Sequence, residues 1–168
     1  AHLHFVEFAT SLQNVSLAGS RTKEEALARV AAAAQARPAG EWITGQGWDR
    51  NLWPDPSFPK REDLDRVAPK HPVALDSKDM HSLWVNSLAL RLADLSAKTV
   101  DPPGGAIERD LDGQPTGILK EKPAKDLVRR VVAKPGREQT LRALEQAFAI
   151  AWSRGITAVH NMEDVRAF

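Results

Sequence analysis

The sequence predicts an α/β fold: a partial TIM-like barrel segment, comprising the first and second strand region, with a large α+β insertion. An amphipathic helix is expected over residues 138–154, Gly155 ends it, and an apolar run over 156–159 leads into His160. That order is half of a βαβ unit, in which polar residues follow the carboxyl ends of parallel strands. Residues 40–120 show no regular alternation of strands and helices, which indicates an insertion. At 168 residues the chain is shorter than a complete barrel of about 250.

The predicted organisation has three parts. Residues 1–20 form the exit of the first barrel strand, residues 21–122 form the inserted α+β subdomain, and residues 123–168 form helices and the second barrel strand. The chain begins without Met and ends without a polar tail, so we expect it to be a piece of a longer protein.

Local signals predict each remaining element. Thr22 and Glu25 have the spacing of a capping box and begin an Ala-rich helix. Asn86 or Ser87 is a suitable cap for a second helix, and Asp112-Gly113 favours a tight hairpin turn. The other predicted elements are strands over 41–48, 72–76 and 82–85, helical turns over 61–67, a helix over 87–93, hairpin arms over 106–110 and 116–119, and a helix over 123–132.

Composition excludes several classes of function. The 23 Lys and Arg residues nearly balance 22 Asp and Glu residues, so charge favours neither nucleic acid nor an anionic membrane as a partner. The absence of Cys excludes disulfides, thiolate catalysis and Cys-type zinc sites. No run approaches the ~20 apolar residues of a membrane span, and the start does not resemble a secretory leader. We expect a cytoplasmic location.

The pair His2 and His4 is the first candidate for chemistry. In an extended segment, residues two apart face the same side, so both imidazoles can reach one cation such as zinc. The alternative is two solvent-facing histidines without a ligand.

Several segments in order along the chain resemble one family. They are 1–5 (AHLHF), 41–49 (EWITGQGWD), 72–75 (PVAL), 81–90 (HSLWVNSLAL), 112–121 (DGQPTGILKE) and 155–160 (GITAVH). In sequence and spacing they are similar to the N-terminal part of amidohydrolase family 3, the branch of the metal-dependent amidohydrolase superfamily that contains N-substituted formamide deformylase-like enzymes.

The resemblance implies a metal-dependent hydrolase on a TIM-like barrel, cleaving a non-peptide C–N bond of a small amide-type substrate. One or two divalent metals, expected to be zinc, activate water in such enzymes. His2 and His4 correspond to the family's His-x-His metal ligands. The family's other ligands, a lysine, two histidines and an aspartate, come from later strands, beyond Phe168. We therefore expect the isolated chain to lack a full catalytic centre.

The resemblance also suggests two catalytic candidates, His81 and Glu121. The alternative for His81 is a buried ring hydrogen-bonded to the backbone. The alternative for Glu121 is a carboxylate that stabilises a helix N-terminus. Further candidates for contact with substrate are Asp49, Trp48, Trp84, Asn86 and His160. For the tryptophans the alternative is simple core packing.

Two other readings remain open. The chain can be a non-catalytic α/β module that self-associates through open barrel edges, forming a homo-oligomer. It can also be a complete small metalloprotein that uses His2, His4, His81 and Glu121 together. Finally, the basic residues 120, 122, 125, 129 and 130 are predicted to form a solvated helix face.

Overall fold

The structure, a computed structural model, describes residues 2–163. Its elements in chain order are β1 (His2–Leu3), α1 (Phe5–Ser11), β2 (Val15–Ser16), α2 (Lys23–Gln35), β3 (Ile43–Trp48), a 3₁₀ turn (Arg50–Leu52), α3 (Arg61–Val67), β4 (Val73–Ser77), β5 (Ser82–Val85), α4 (Ser87–Leu92), β6 (Ala106–Arg109), β7 (Pro115–Lys120), α5 (Glu121–Arg129), α6 (Arg137–Ser153) and β8 (His160–Asn161). None of the helices in this described range is long and apolar enough to span a membrane.

The chain forms two compact units. The smaller contains residues 1–14 and 134–168, and the larger contains residues 15–133. These two units are defined by contacts within the structure. They do not test the predicted division into residues 1–20, 21–122 and 123–168, which stays a prediction.

The smaller unit joins the two ends of the described chain. β1 pairs in parallel with β8, with His2 opposite His160. α1 packs on α6 through a small core in which the side chains of Phe5, Ala9 and Ala147 are buried.

The helix predicted over residues 138–154 is confirmed. Its large apolar side chains do not form the buried face as the amphipathic pattern implies: the buried positions of α6 are Ala143 and Ala147, and the large side chains of Leu141, Phe148 and Trp152 are exposed.

The strand predicted over residues 156–159 is wrong. The described ladder begins at His160, and Ile156 is 47% exposed rather than buried. In this ladder His160 lies opposite His2, and residues 156–159 pair with none of the described strands. A β-branched run alone does not make a strand without a partner to pair with.

The larger unit is built on a six-stranded mixed sheet. Its strand order is β2-β3-β4-β5-β7-β6. β2, β3 and β4 run parallel, whereas β5, β7 and β6 join by antiparallel pairing. In the two central strands, residues 73–75 of β4 and 83–85 of β5 are apolar and buried without alternation, because these segments are covered on both faces of the sheet.

Helices cover both faces of this sheet. In β5, Trp84 faces the core under α2 and α3, while Leu83 and Val85 face the core under α4 and α5. The same alternation separates Ile118 from Leu119 in β7, as the two-residue period of a strand requires. The middle of the chain is thus a three-layer α/β/α unit.

Most local predictions for this unit are confirmed. Thr22 caps α2, its hydroxyl oxygen accepting the Glu25 N–H at 3.0 Å. The Glu25 carboxylate accepts the Arg21 N–H rather than that of Thr22. The hairpin between β6 and β7 turns at Asp112-Gly113 as predicted. α5 begins two residues earlier than predicted, because Pro123 fits within the first turn of a helix, where its missing N–H is not needed.

The side chain of Asn86 forms several buried hydrogen bonds in the larger unit. It is fully buried, and its amide NH₂ donates to the His71 carbonyl at 2.8 Å. Its side-chain oxygen accepts the N–H groups of Val73 and Ala89, at 3.1 and 3.0 Å. One side chain thereby caps α4 and holds the start of β4.

Replacing Asn86 with Ala is expected to lower the free energy of unfolding by about 2–4 kcal/mol, because buried backbone groups lose their partner. Urea unfolding followed by circular dichroism measures this. The matched control is Asn51→Ala, an exposed asparagine whose loss should cost less than about 0.5 kcal/mol. Equal losses of unfolding free energy in the two variants would contradict the structural role of the Asn86 hydrogen bonds.

Candidate functional site

The two catalytic candidates suggested by the sequence, His81 and Glu121, are in direct contact. The Nδ1 atom of His81 is 3.2 and 3.1 Å from the two carboxylate oxygens of Glu121. Their side chains are 66% and 54% exposed, so an outside molecule can reach both. The pair belongs to the larger unit.

Strand pairing brings these two residues together. β5 and β7 are antiparallel, with Ser82 opposite Lys120. Continuing that register by one residue places His81 opposite Glu121, and the Glu121 N–H donates to the His81 carbonyl at 2.8 Å. Glu121 has a φ of +65°, a left-handed conformation that is uncommon for residues other than glycine.

This geometry gives the imidazole a defined chemical character. A neutral His81 must carry its proton on Nδ1 in order to donate to the Glu121 carboxylate. Its other nitrogen, Nε2, is then an acceptor available to a ligand or a proton. A carboxylate that orients an imidazole in this way is a recurring arrangement in proton transfer.

The turn between β4 and β5 holds His81 from the other side. The Asp79 carboxylate accepts the His81 N–H at 3.1 Å and the Ser77 hydroxyl at 2.5 Å. These bonds, first that from Ser77, hold the pKa of Asp79 below its usual value. The Ser77 oxygen accepts the Ser82 N–H, which closes the turn. Met80, at the tip, has a φ of +65°.

A cleft of about 380 Å³ lies beside this turn. Asp49 and Trp48 both lie on its wall, and Asp49 also forms an ion pair with Lys78 at 3.4 Å. The ring of Phe58 lies between two cations, with the Arg50 guanidinium 4.2 Å from the ring centroid and the Lys120 ammonium 4.5 Å from it. Lys120, His81 and Glu121 are not among the residues that line the cleft, and the remaining lining residues are Asn51, Ser77, Lys78, Asp79 and Ser82.

Trp48 and Trp84 are largely core residues. Both are buried, and the Nε1 of Trp48 donates to the Leu75 carbonyl while that of Trp84 donates to the Lys60 carbonyl. Their rings pack edge to face at 6.2 Å. The structure thus gives Trp84 and Asn86 structural contacts inside the chain, and contact of either with substrate stays a prediction.

Lys125 corrects one sequence expectation. The sequence predicts that Lys125 belongs to a solvated helix face, yet its exposure is only 2%. Its ammonium forms an ion pair with Asp76 at 2.7 Å and donates to the Met80 carbonyl. A charge can be buried when it is paired and hydrogen-bonded in this way, which spacing along a helix does not reveal.

The His-x-His pair is in the smaller unit. The side chain of His2 lies outside the described residues. β1 ends at Leu3 and α1 begins at Phe5, so His4 caps the helix and does not continue the strand. The extended geometry expected across both histidines therefore stops one residue short, because helix α1 begins immediately after His4.

His4 lies close to two carboxylates that the sequence analysis missed, Glu7 and Glu163. Ligand atoms of these three residues lie within 4.8 Å of one another, the one such group of three among residues 2–163. An imidazole nitrogen with carboxylate oxygens is a donor set that suits a divalent cation such as zinc. No sequence signal connects Glu163 with His4, because they are far apart along the chain.

The last residue of β8 and a residue just after it hold the start of α1. The Asn161 side-chain oxygen accepts the Phe5 N–H at 2.8 Å. The Glu163 carboxylate accepts the N–H groups of Val6 and Glu7, at 2.8 and 2.6 Å. Carboxylate oxygens have further lone pairs, so these bonds leave Glu163 able to contact a cation.

His160 is exposed and lies beside His2 in the ladder of β1 and β8. It belongs to the smaller unit, whereas His81, Glu121 and the cleft belong to the larger. Its contact with substrate stays a prediction.

The chain is similar in sequence to known proteins. The chain is 33% identical to the amidohydrolase YtcJ of Bacillus subtilis (strain 168) over 161 residues, which cover 96% of the chain and 30% of YtcJ. It is 36% identical to the N-substituted formamide deformylase of Arthrobacter pascens over 123 residues, or 73% of the chain and 23% of that enzyme. The chain thus spans under a third of the length of these relatives.

Two solved structures of similar fold are described as metal-dependent hydrolases. An uncharacterized metal-dependent hydrolase from Pyrococcus furiosus superimposes with a TM-score of 0.69 at 28% identity, over 97% of this chain and 31% of that one. Its counterpart from Pyrococcus horikoshii OT3 gives the same TM-score at 26% identity, over 99% and 32%. The sequence profile of the amidohydrolase family matches residues 1–168 in full. The chain therefore belongs to the amidohydrolase family.

Proposed function

We propose that this chain is part of a metal-dependent hydrolase that cleaves a non-peptide C–N bond in a small amide or formamide. The observation that carries the proposal is the contact between His81 and Glu121 at 3.1 Å in a member of the amidohydrolase family. The cleft is lined by other residues of the same turn, Ser77, Asp79 and Ser82. The formamide substrate class is suggested by the name of the Arthrobacter pascens relative.

The proposed metal site contains His2 and His4, and the proposed ion is zinc, one or two per site. The cluster of His4, Glu7 and Glu163 supports a cation there, since three donors already converge. Bound zinc supplies a polarising charge and lowers the pKa of a bound water. The residues of this chain orient the donors, chiefly through the bonds from the start of α1 to Asn161 and Glu163.

The proposed substrate side consists of His81, Glu121 and the cleft. His81 transfers a proton through Nε2, and Glu121 keeps the ring in the required tautomer. Asp49 and Trp48 contact the substrate from the cleft wall. His160 stays a candidate on the smaller unit. Asn86 and Trp84 support the site from the core, and we assign them no direct contact.

We further propose that the smaller unit is a TIM-like barrel segment. The parallel pairing of β1 with β8, connected in part through α6, is the arrangement of neighbouring barrel strands. The larger unit is then the insertion between these two strands. Partners are limited to small molecules, with neither nucleic acid nor membrane among them.

Self-association is the competing function. Leu141, Phe148 and Trp152 on α6 are exposed apolar side chains, as a module that pairs with a second copy would require. Size-exclusion chromatography with light scattering separates the two functions. A monomer that binds zinc supports the hydrolase, and a dimer that binds no zinc supports the alternative.

Zinc affinity tests the metal site. His4→Ala is expected to weaken zinc binding by more than about tenfold, since loss of even an outer-shell partner has that effect. Isothermal titration calorimetry of the chain measures it. His81→Ala is the matched control and should leave zinc affinity unchanged. Equal losses in both variants would instead favour one metal site shared by His2, His4, His81 and Glu121.

Binding of a substrate-like probe tests the proposed substrate side of the site. N-phenethylformamide, an aromatic formamide suited to the Trp48 and Phe58 walls, should shift the NMR amide signals of Asp49 and Asp79. Glu121→Gln is expected to weaken this binding by about tenfold, the usual scale for one hydrogen bond to a charged group. Glu62→Gln, another exposed carboxylate, is the control. Shifts confined to residues outside the cleft would contradict the proposed site.

A further inference from the structure

Lys125 is a buried charge that the proposed chemistry does not use. It lies on α5 with 2% exposure, and its ammonium contacts the Asp76 carboxylate at 2.7 Å. Asp76 is also paired with Arg129 at 2.9 Å, so it does not depend on Lys125 alone for a countercharge. Burying an ammonium is costly, and a core needs no lysine at this position for packing. The second contact of the Lys125 ammonium, described next, indicates the role of this residue.

That second contact is the carbonyl of Met80, which accepts a hydrogen bond from the Lys125 ammonium. Met80 has a φ of +65°, a strained conformation for a residue with a side chain. Its own side chain is 49% exposed, so packing of that side chain does little to hold the conformation. The peptide at the tip of the turn is held through its backbone, by Lys125 on one side and the Ser77 carbonyl on the other.

The same helix carries the partner of His81. Glu121 begins α5, and Lys125 follows four residues later, one helical turn away. Met80 directly precedes His81. The helix therefore contacts the pair twice: Glu121 receives the His81 imidazole, and Lys125 holds the peptide from which His81 projects.

We propose that Lys125 is a positioning residue for the His81–Glu121 pair. Its ammonium fixes the Met80 carbonyl, and so keeps His81 Nδ1 on the Glu121 carboxylate with Nε2 left as the acceptor. The catalytic meaning of this positioning depends on the proposed function, but the positioning itself does not.

The test is the tautomer of His81, observed by ¹⁵N NMR of the imidazole nitrogens at a pH where the ring is neutral. In the unmodified chain, the form protonated on Nδ1 should predominate. Lys125→Met should lower the ratio of the Nδ1-protonated to the Nε2-protonated form by about tenfold, the effect of losing one ordinary hydrogen bond. A purely structural lysine would lower stability without changing this ratio in the folded chain.

Two controls sharpen the result. Lys122→Met removes an exposed lysine from the same helix and should leave the ratio unchanged. Lys125→Arg keeps a charged donor and should retain most of the wild-type ratio. A folded Lys125→Met variant with the wild-type ratio would overturn the proposal. If Lys125→Met does not fold, Lys125→Gln replaces it, and a wild-type ratio in that variant overturns the proposal equally.

Failure of the proposed function is distinguishable from failure of this inference. If Lys125→Met lowers the tautomer ratio but Glu121→Gln binds N-phenethylformamide as tightly as wild type, Lys125 positions the pair and the pair does not bind that substrate. If Glu121→Gln weakens the probe but Lys125→Met leaves the ratio intact, the substrate site stands and the positioning role is wrong.

Discussion

The antiparallel pairing of β5 with β7 is the constraint on which the candidate site depends. It continues for one residue beyond the ladder and there places His81 against Glu121, at the point where a strand gives way to α5. Both sides of this junction carry strain, since Met80 and Glu121 have positive φ values. Strain of this kind persists only where surrounding contacts outweigh it. Here those contacts are the Asp79 carboxylate and the buried ammonium of Lys125.

Much of the fold was predictable because its signals are local. The Thr22 cap of α2 and the Asp112-Gly113 turn each specify structure through residues within a few positions. The failure at residues 156–159 has the opposite cause. Strand formation depends on a partner far away in sequence, and the described ladder begins only at His160. A β-branched run predicts the capacity to pair but not where the pairing begins.

For the candidate site as well, the sequence predicts individual residues but not the contacts between residues that are distant along the chain. His4 is identified from its spacing with His2 as well as from the family resemblance, and His81 and Glu121 are suggested by the resemblance. The contact between His81 and Glu121 depends on sheet register. Glu163 was missed because its hydrogen bonds to α1 span more than 150 residues. Lys125 was assigned to a solvated face because a helical pattern does not reveal a buried acceptor such as the Met80 carbonyl. Local chemistry can be inferred from sequence, whereas long-range partners require the fold.

We propose that this member of the amidohydrolase family binds a divalent cation at the junction of β1 with α1. Paramagnetic line broadening by Mn²⁺ in ¹⁵N-labelled chain, with Mg²⁺ as the diamagnetic reference, tests it most directly. We expect selective broadening of amide signals from residues 3–7 and 161–163, around the donors of His4, Glu7 and Glu163. Uniform weak broadening, or broadening centred on other acidic surface residues, would contradict the claim.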